Sequence, residues 1–311
     1  MLGLWVLGGV LGLLLALAAS RRAVHHASTL AFGSRLPPFV IGVTLMAIGT
    51  DLPEMANSIA ASVSGHGDLN VSDSMGSAAT QITLILGLVP FAVGAVVVGR
   101  LRVRIIGGLT VLALAMGTLM VADGDLSRLD GLVLVGTWAV MSLLVWRFAP
   151  PASEPALPVP AHHKTRHALL ALGALALVGG GALVAVESVV RVAERIDVPL
   201  YVVGFLGASL GTSLPELIVD LTALRAGQRD LAVGGIFGAT LVDATLSIGI
   251  GPTVAPTPVD AELAVRGGLI ALGAVLLVTV VLGVRRRHSR PTGALLLASY
   301  GAVYVVLLSA A

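Results

Sequence analysis

The stretch GTDLPEMANSIAA at residues 49–61 returns as GTSLPELIVDLTA at residues 211–223, an offset of 162. Each copy sets a carboxylate, Glu54 or Glu216, directly after a proline, Pro53 or Pro215, inside a long apolar stretch. The same offset carries Gly76 to Gly238, Gln81 to Asp243 and Gly87 to Gly249 without a gap. One short match can arise by chance, but an offset held from residue 49 to residue 87 marks an internal duplication.

Composition supplies the setting. Hydrophobic residues make up 56% of the 311 positions, charged ones 12%, and the mean hydropathy is +0.98. A soluble domain carries about 25% charged residues, so the chain reads as an all-α membrane protein with the lipid bilayer as its principal partner. It contains no cysteine, which excludes disulfides, thiolate metal sites and a thiol nucleophile. A spanning helix needs about 20 mostly apolar residues. Ten stretches qualify: 2–19, 38–63, 70–99, 105–122, 129–148, 168–189, 199–224, 231–254, 264–284 and 293–310. The first lacks a basic leader and runs into Arg21 and Arg22, so it reads as a retained helix and not a cleaved signal.

Ten helices put every odd-to-even connection on one side of the membrane. Of the nineteen Lys and Arg residues, only Arg128, Arg191, Arg195 and Arg266 fall on the other side, leaving fifteen together. The positive-inside rule makes the crowded side cytoplasmic and places both termini outside. The longest polar interruption, APPASEPALPVPAHHKTRHA at 149–168, then reads as a cytoplasmic linker. The expected organisation is a first five-helix repeat at 1–148, a linker at 149–167 and a second five-helix repeat at 168–311. An odd number of helices per half makes the two repeats inverted in topology.

The motif chemistry follows from what a bilayer forbids. A carboxylate near the midplane costs at least about 2.5–3.5 kcal/mol on insertion scales, so it faces the interior and serves a purpose. Proline disrupts the preceding turn and frees carbonyl oxygens, here those of Ala47 and Thr50 or Ser209 and Thr212. With Glu54 and Glu216 these are hard oxygen ligands, suited to sodium, calcium or magnesium. Ser77 and Gln81 are four apart and share a helix face, as do Ala239 and Asp243. Small neighbours, Gly76 and Ala78 or Gly235 and Gly238, let two helices approach closely. The expected centre is therefore Glu54, Glu216 and Asp243, with Asp51 and Gln81 beside it, acting as a cation site.

GTDLPE…GSAATQ and GTSLPE…GATLVD resemble the two alpha-repeats of the sodium/calcium exchanger family within the calcium/cation antiporter superfamily, prokaryotic type. The likeness covers residues 40–90 and 203–252. It implies that Glu54 and Glu216 are central calcium and sodium ligands, with Gln81 and Asp243 as partners. It further implies that Ser77, Ser213 and the carbonyls near Ala47, Thr50, Ser209 and Thr212 complete the sodium sites, and that transport proceeds by alternating access. Calcium and sodium are then substrates; no cofactor and no nucleic-acid partner is expected, and a monomer in a prokaryotic plasma membrane fits. The chain departs from the family pattern at Asp51 and Ala239, where serine is usual, at Gln81, where asparagine or aspartate is usual, and at Ser72–Asp73, where Gly-Asn is usual. Those departures keep a proton- or potassium-coupled exchanger as the alternative.

Asp51 can instead face a water-filled vestibule. Asp73 reads as an acid favouring the start of a helix dipole, and Asp220, one turn beyond Glu216, more as a structural acid than as a residue on an access path. His25, His26, His162 and His163 read as solvated loop residues, and Arg285–Arg287 as a topology signal beside anionic lipid. GHGD at 65–68 matches an intramembrane aspartyl protease pattern but lies in a connection between helices, and there is no nucleotide-binding Gly-rich loop. An ion channel is the last alternative; inverted repeats with broken helices favour a transporter.

Overall fold

The computed structural model describes residues 2–34, 37–148, 164–193, 205, 209–285 and 287–308. Helix α1 spans Leu2–Ser34 and a broken segment follows: α2 (Pro38–Ile41), a π-helical turn (Gly42–Met46), α3 (Ala47–Thr50) and α4 (Leu52–Val63). Then come α5 (Gly67–Thr80), a second π turn (Gln81–Ile85), α6 (Leu86–Ala92), α7 (Arg100–Met120) and α8 (Arg128–Phe148). The second half runs α9 (Lys164–Ala193), α10 (Ser209–Thr212), α11 (Leu214–Arg225), α12 (Arg229–Val242), a π turn (Asp243–Ser247), α13 (Ile248–Val254), α14 (Ala261–Val284) and α15 (Arg290–Leu308). Two-residue strands β1 (Val96–Val97), β2 (Asp125–Leu126), β3 (Thr257–Pro258) and β4 (Arg287–His288) pair as β1–β4 and β2–β3.

The molecule is thus mostly helical. Among the described residues six helices are long and apolar enough to cross a membrane, or seven if the pair Pro38–Thr50 and Leu52–Val63, bent by 48°, is one span. The expected linker lies almost entirely outside the described residues; only its last four positions, Lys164–His167, are seen, and they are helical. The start of the expected span at 199–224 also falls outside them, apart from Phe205.

The 162-residue offset holds for the elements themselves. It relates α4 to α11, α5 to α12, α6 to α13, and the π turn at Gln81 to that at Asp243. It also relates Gly65 to Gly227, both with φ in the left-handed region, +73° and +79°, where a residue other than glycine is strained. Contacts are exchanged in the same way. Gly76 abuts the backbone of Phe205, and Gly238 that of Val43; Gly87 faces Gly293, and Gly249 faces Gly131. Elements of the first half therefore pack on elements of the second: α12 on the π turn at Gly42–Met46, α10 on α5, α13 on α4 and α8, and α9 along α1. Ser58 and Asn70 tie these halves directly, the first accepting from the Gly251 amide at 3.1 Å and the second donating to the Ile248 carbonyl at 3.1 Å.

At one end, Arg102 pairs with Asp230 at 2.5 Å and lies 5.6 Å from the Phe39 ring centroid. His288, on β4, is wholly buried; Nε2 lies 2.7 Å from the Leu86 carbonyl and Nδ1 2.8 Å from Thr292 Oγ1. Burial lowers its pKa, against the opposing pull of the Leu86 carbonyl. The folded chain thus holds this ring neutral where an unfolded chain would take up a proton. Stability should be full above the unfolded value near 6.5 and fall as pH drops below it. His288→Gln keeps a donor toward Leu86 and removes the titration. An unfolding-temperature series between pH 5 and 8 should lose part of its acid limb in that variant.

Candidate cation site

Pro53 and Pro215 stand in the first turn of α4 and α11, where a missing N–H is harmless to the helix that follows. The disruption falls on the helix before. α3 and α10 stop at Thr50 and Thr212, and Asp51 (φ −80°, ψ 8°) and Ser213 (φ −77°, ψ 3°) bridge the breaks. These breaks point functional side chains into the interior without extending any polar backbone toward lipid.

Asp51, Glu54, Glu216 and Asp243 are each at most 1% exposed. Among the described residues none of their eight carboxylate oxygens makes a well-formed hydrogen bond, although Thr50 and Asp51 interact with Glu216 and Gln81 and Ser247 with Asp243. Asp51, Glu54 and Asp243 each offer an oxygen within 4.8 Å of the others. Glu216 interacts electrostatically with all three. Two unit charges at that separation repel by about 3 kcal/mol at an effective dielectric of 20. The buried basic side chains among the described residues, Arg102 and His288, are engaged elsewhere. Gln81 and Ser247, beside Asp243, and Ser213 bring further buried polar side chains. The donor set is hard oxygen throughout, which fits an alkali or alkaline-earth cation and not a soft metal.

A second polar group lies beside the first. Thr212 donates to Asp73 at 3.1 Å, its hydroxyl lies 3.3 Å from that of Ser77, and Ser77 donates to the Ser209 carbonyl at 3.5 Å. Asn57 Nδ2 donates to the other Asp73 oxygen at 2.6 Å. Asp73 is therefore a buried, hydrogen-bonded acid in the middle of α5, and the expectation of a helix-start charge is corrected. Its partners come from α4 and α10, so only tertiary structure could reveal them. At the site's edge, Asp220 is buried one turn beyond Glu216 and fills the space beside Gly235.

The backbone ligands differ from expectation in one respect. The carbonyls of Ala47 and Ser209 are not freed by proline: each accepts an amide, from Asp51 at 3.0 Å and Ser213 at 3.1 Å, while the Thr50 hydroxyl lies between the Met46 and Ala47 carbonyls at 3.1 and 3.2 Å and the Thr212 hydroxyl is given to Asp73. A carbonyl has two lone pairs, so the amide leaves each of them one position for a further partner. The missing proline amides instead fall opposite Gly49 and Gly211, four residues earlier. Gln81 and Asp243 each open a π turn, a feature frequent at functional sites. Ala239 is buried and brings no side-chain oxygen to the place that Ser77 fills in the other half. His25 and His26 lie on α1 and not in a loop, because the helix runs to Ser34; His162 and His163 fall outside the described residues.

Proteins similar to this chain in sequence and architecture include membrane proteins and cation exchangers. The sequence profile described as sodium/calcium exchanger protein matches residues 4–147 and 166–309. The inner membrane protein YrbG of Escherichia coli is 31% identical, with 81% of this chain and 80% of that protein aligned. The sodium/calcium exchanger MaX1 of Methanosarcina acetivorans is 25% identical over 96% and 97% of the two chains. Among solved structures, the sodium-calcium exchanger NCX_Mj soaked with 10 mM Na+ and zero Ca2+ superposes with a TM-score of 0.80 at 26% identity, covering 98% of this chain and 99% of that one.

Proposed function

The chain belongs to the sodium/calcium exchanger protein family and is a multi-pass integral membrane protein, and from that premise we propose that it is a secondary antiporter exchanging calcium for sodium by alternating access. The observation that carries this reading is the convergence of Asp51, Glu54, Glu216 and Asp243, buried and with no cationic side chain among the described residues to neutralise them. A bound cation supplies the neutralising charge that the protein does not. Calcium and sodium compete because they need the same carboxylates, and the ion-free cluster resists crossing because uncompensated acids face a low-dielectric barrier. That competition couples the two fluxes.

In this reading Glu54 and Glu216 are the central ligands, Asp243, Gln81 and Asp51 their partners, and Ser77, Ser213 and the Ala47, Thr50, Ser209 and Thr212 backbone the sodium-site oxygens. Ten spans in two inverted five-helix repeats, 1–148 and 168–311, enclose them, with both termini outside a prokaryotic plasma membrane. The reciprocal contacts across the 162-residue offset support that arrangement, since each first-half element meets the counterpart of the element that meets its own counterpart.

A second reading, proton coupling, is favoured by one observation: Asp51 adds a carboxylate within 4.8 Å of Glu54 and Asp243 where Ser213 stands in the other half. The deciding experiment is calcium-45 uptake into proteoliposomes loaded with sodium, with potassium, or with an imposed proton gradient, and Glu54→Gln as the blank. Uptake is expected only with outward sodium; uptake driven by protons alone transfers the coupling to the second reading. Asp51→Ser removes one negative charge next to the ions. It should weaken calcium binding about tenfold or more, since affinity follows ligand charge count, while sodium still drives uptake. An unchanged calcium concentration dependence would remove Asp51 from the site.

A further inference from the structure

We propose that His26 and His167 form a binding site for a first-row transition-metal ion of the Zn2+ or Cu2+ class, joining α1 to the first turn of α9. The two Nδ1 atoms lie 3.0 Å apart and the ring centroids 5.1 Å apart. Nitrogen-to-metal bonds of about 2.0–2.1 Å in tetrahedral geometry place two ligating nitrogens about 3.3 Å apart. An ion therefore enters between these rings with a shift of a few tenths of an ångström, replacing the proton the nitrogens now share. The His25 ring, 5.1 Å from that of His26, stands next to the pair, and water fills the open positions.

The chemistry separates this site from the carboxylate cluster. Imidazole nitrogen selects zinc, copper and nickel, whereas the oxygen-only cluster suits calcium and sodium. Metal ligation requires neutral rings. Arg22 and Arg166 lie beside the pair. Those two arginines are exposed, so their heads reach water while the rings stay half-buried between packed helices.

The test uses the purified full-length chain with His162→Gln and His163→Gln, so that only the described histidines contribute. Cu2+ is added and followed by electron paramagnetic resonance, in which nitrogen ligation gives superhyperfine splitting that carboxylate ligation does not. The expected spectrum shows nitrogen coupling, lost in His26→Gln and in His167→Gln and kept in Glu54→Gln. Coupling that survives both histidine variants, or a spectrum of oxygen ligation alone, overturns the proposal. Thermal unfolding supplies a second readout and confirms that each variant is folded before metal is added. Zn2+ should raise the unfolding temperature of the parent more than that of either histidine variant, and equal shifts in all three count against the site.

Discussion

Glu54→Gln and Glu216→Gln should each abolish calcium uptake while leaving the purified chain folded. Glutamine keeps the shape and one carbonyl oxygen, so the change isolates charge. A divalent ion about 4 Å from a carboxylate gains about 8 kcal/mol of gross attraction at an effective dielectric of 20. Most of that is offset by desolvation, yet a third of it still amounts to about a hundredfold in affinity, because each 1.4 kcal/mol is a factor of ten. Folding should respond in the opposite direction. Both glutamates are buried among like charges with no cationic side chain beside them among the described residues. Neutralising either relieves repulsion in the ion-free chain, so its unfolding temperature should hold or rise. Calcium-45 uptake, gel filtration and thermal unfolding on the same preparations separate the two effects. A folded Glu54→Gln/Glu216→Gln double variant that still takes up calcium would sink the assignment of both residues.

What the sequence made legible is what depends on chemistry at fixed positions along the chain. Pro53 and Pro215 announce a helix break because proline lacks an amide wherever it sits, and the breaks occur at Asp51 and Ser213 as that rule requires. Acids set in apolar stretches announce a buried cluster, because lipid excludes isolated charges, and Asp51, Glu54, Glu216 and Asp243 are buried accordingly. The features that escaped are set by partners far along the chain. Asp73 looks like a helix-start charge until Asn57 and Thr212 are brought to it. The π turns at Gln81 and Asp243 insert a residue that packing between the halves has to accommodate, and nothing in local propensity marks them. The apolar stretch at 2–19 marks only part of the first helix, because hydropathy reports the membrane span and not the helix; α1 continues to Ser34 and carries His25 and His26 with it.

Gly76→Ala and Gly238→Ala should both impair transport, for reasons of space alone. A Cβ on Gly238 would lie 2.5 Å from the Val43 Cα and 2.7 Å from its carbonyl oxygen. One on Gly76 would collide with the Phe205 carbonyl and come within 2.8 Å of the Ser209 Cβ and Oγ. Backbone atoms on a packed helix cannot rotate aside as a flexible side chain can, so the broken segment has to move away from α5 or α12. Overpacking of this kind costs about 1–3 kcal/mol. Activity should suffer more than stability, because the displaced residues lead into Thr50 and Thr212 and the carboxylates beyond them. Gly180→Ala and Gly273→Ala are the controls, since a Cβ at either meets nothing within 4 Å. In proteoliposomes both controls should transport like the parent, while Gly76→Ala and Gly238→Ala lose at least about tenfold in uptake. Equal activity in all four would mean that close approach of the two halves does not set the geometry of the ion cluster. The small residues would then be reporting helix packing and not a site.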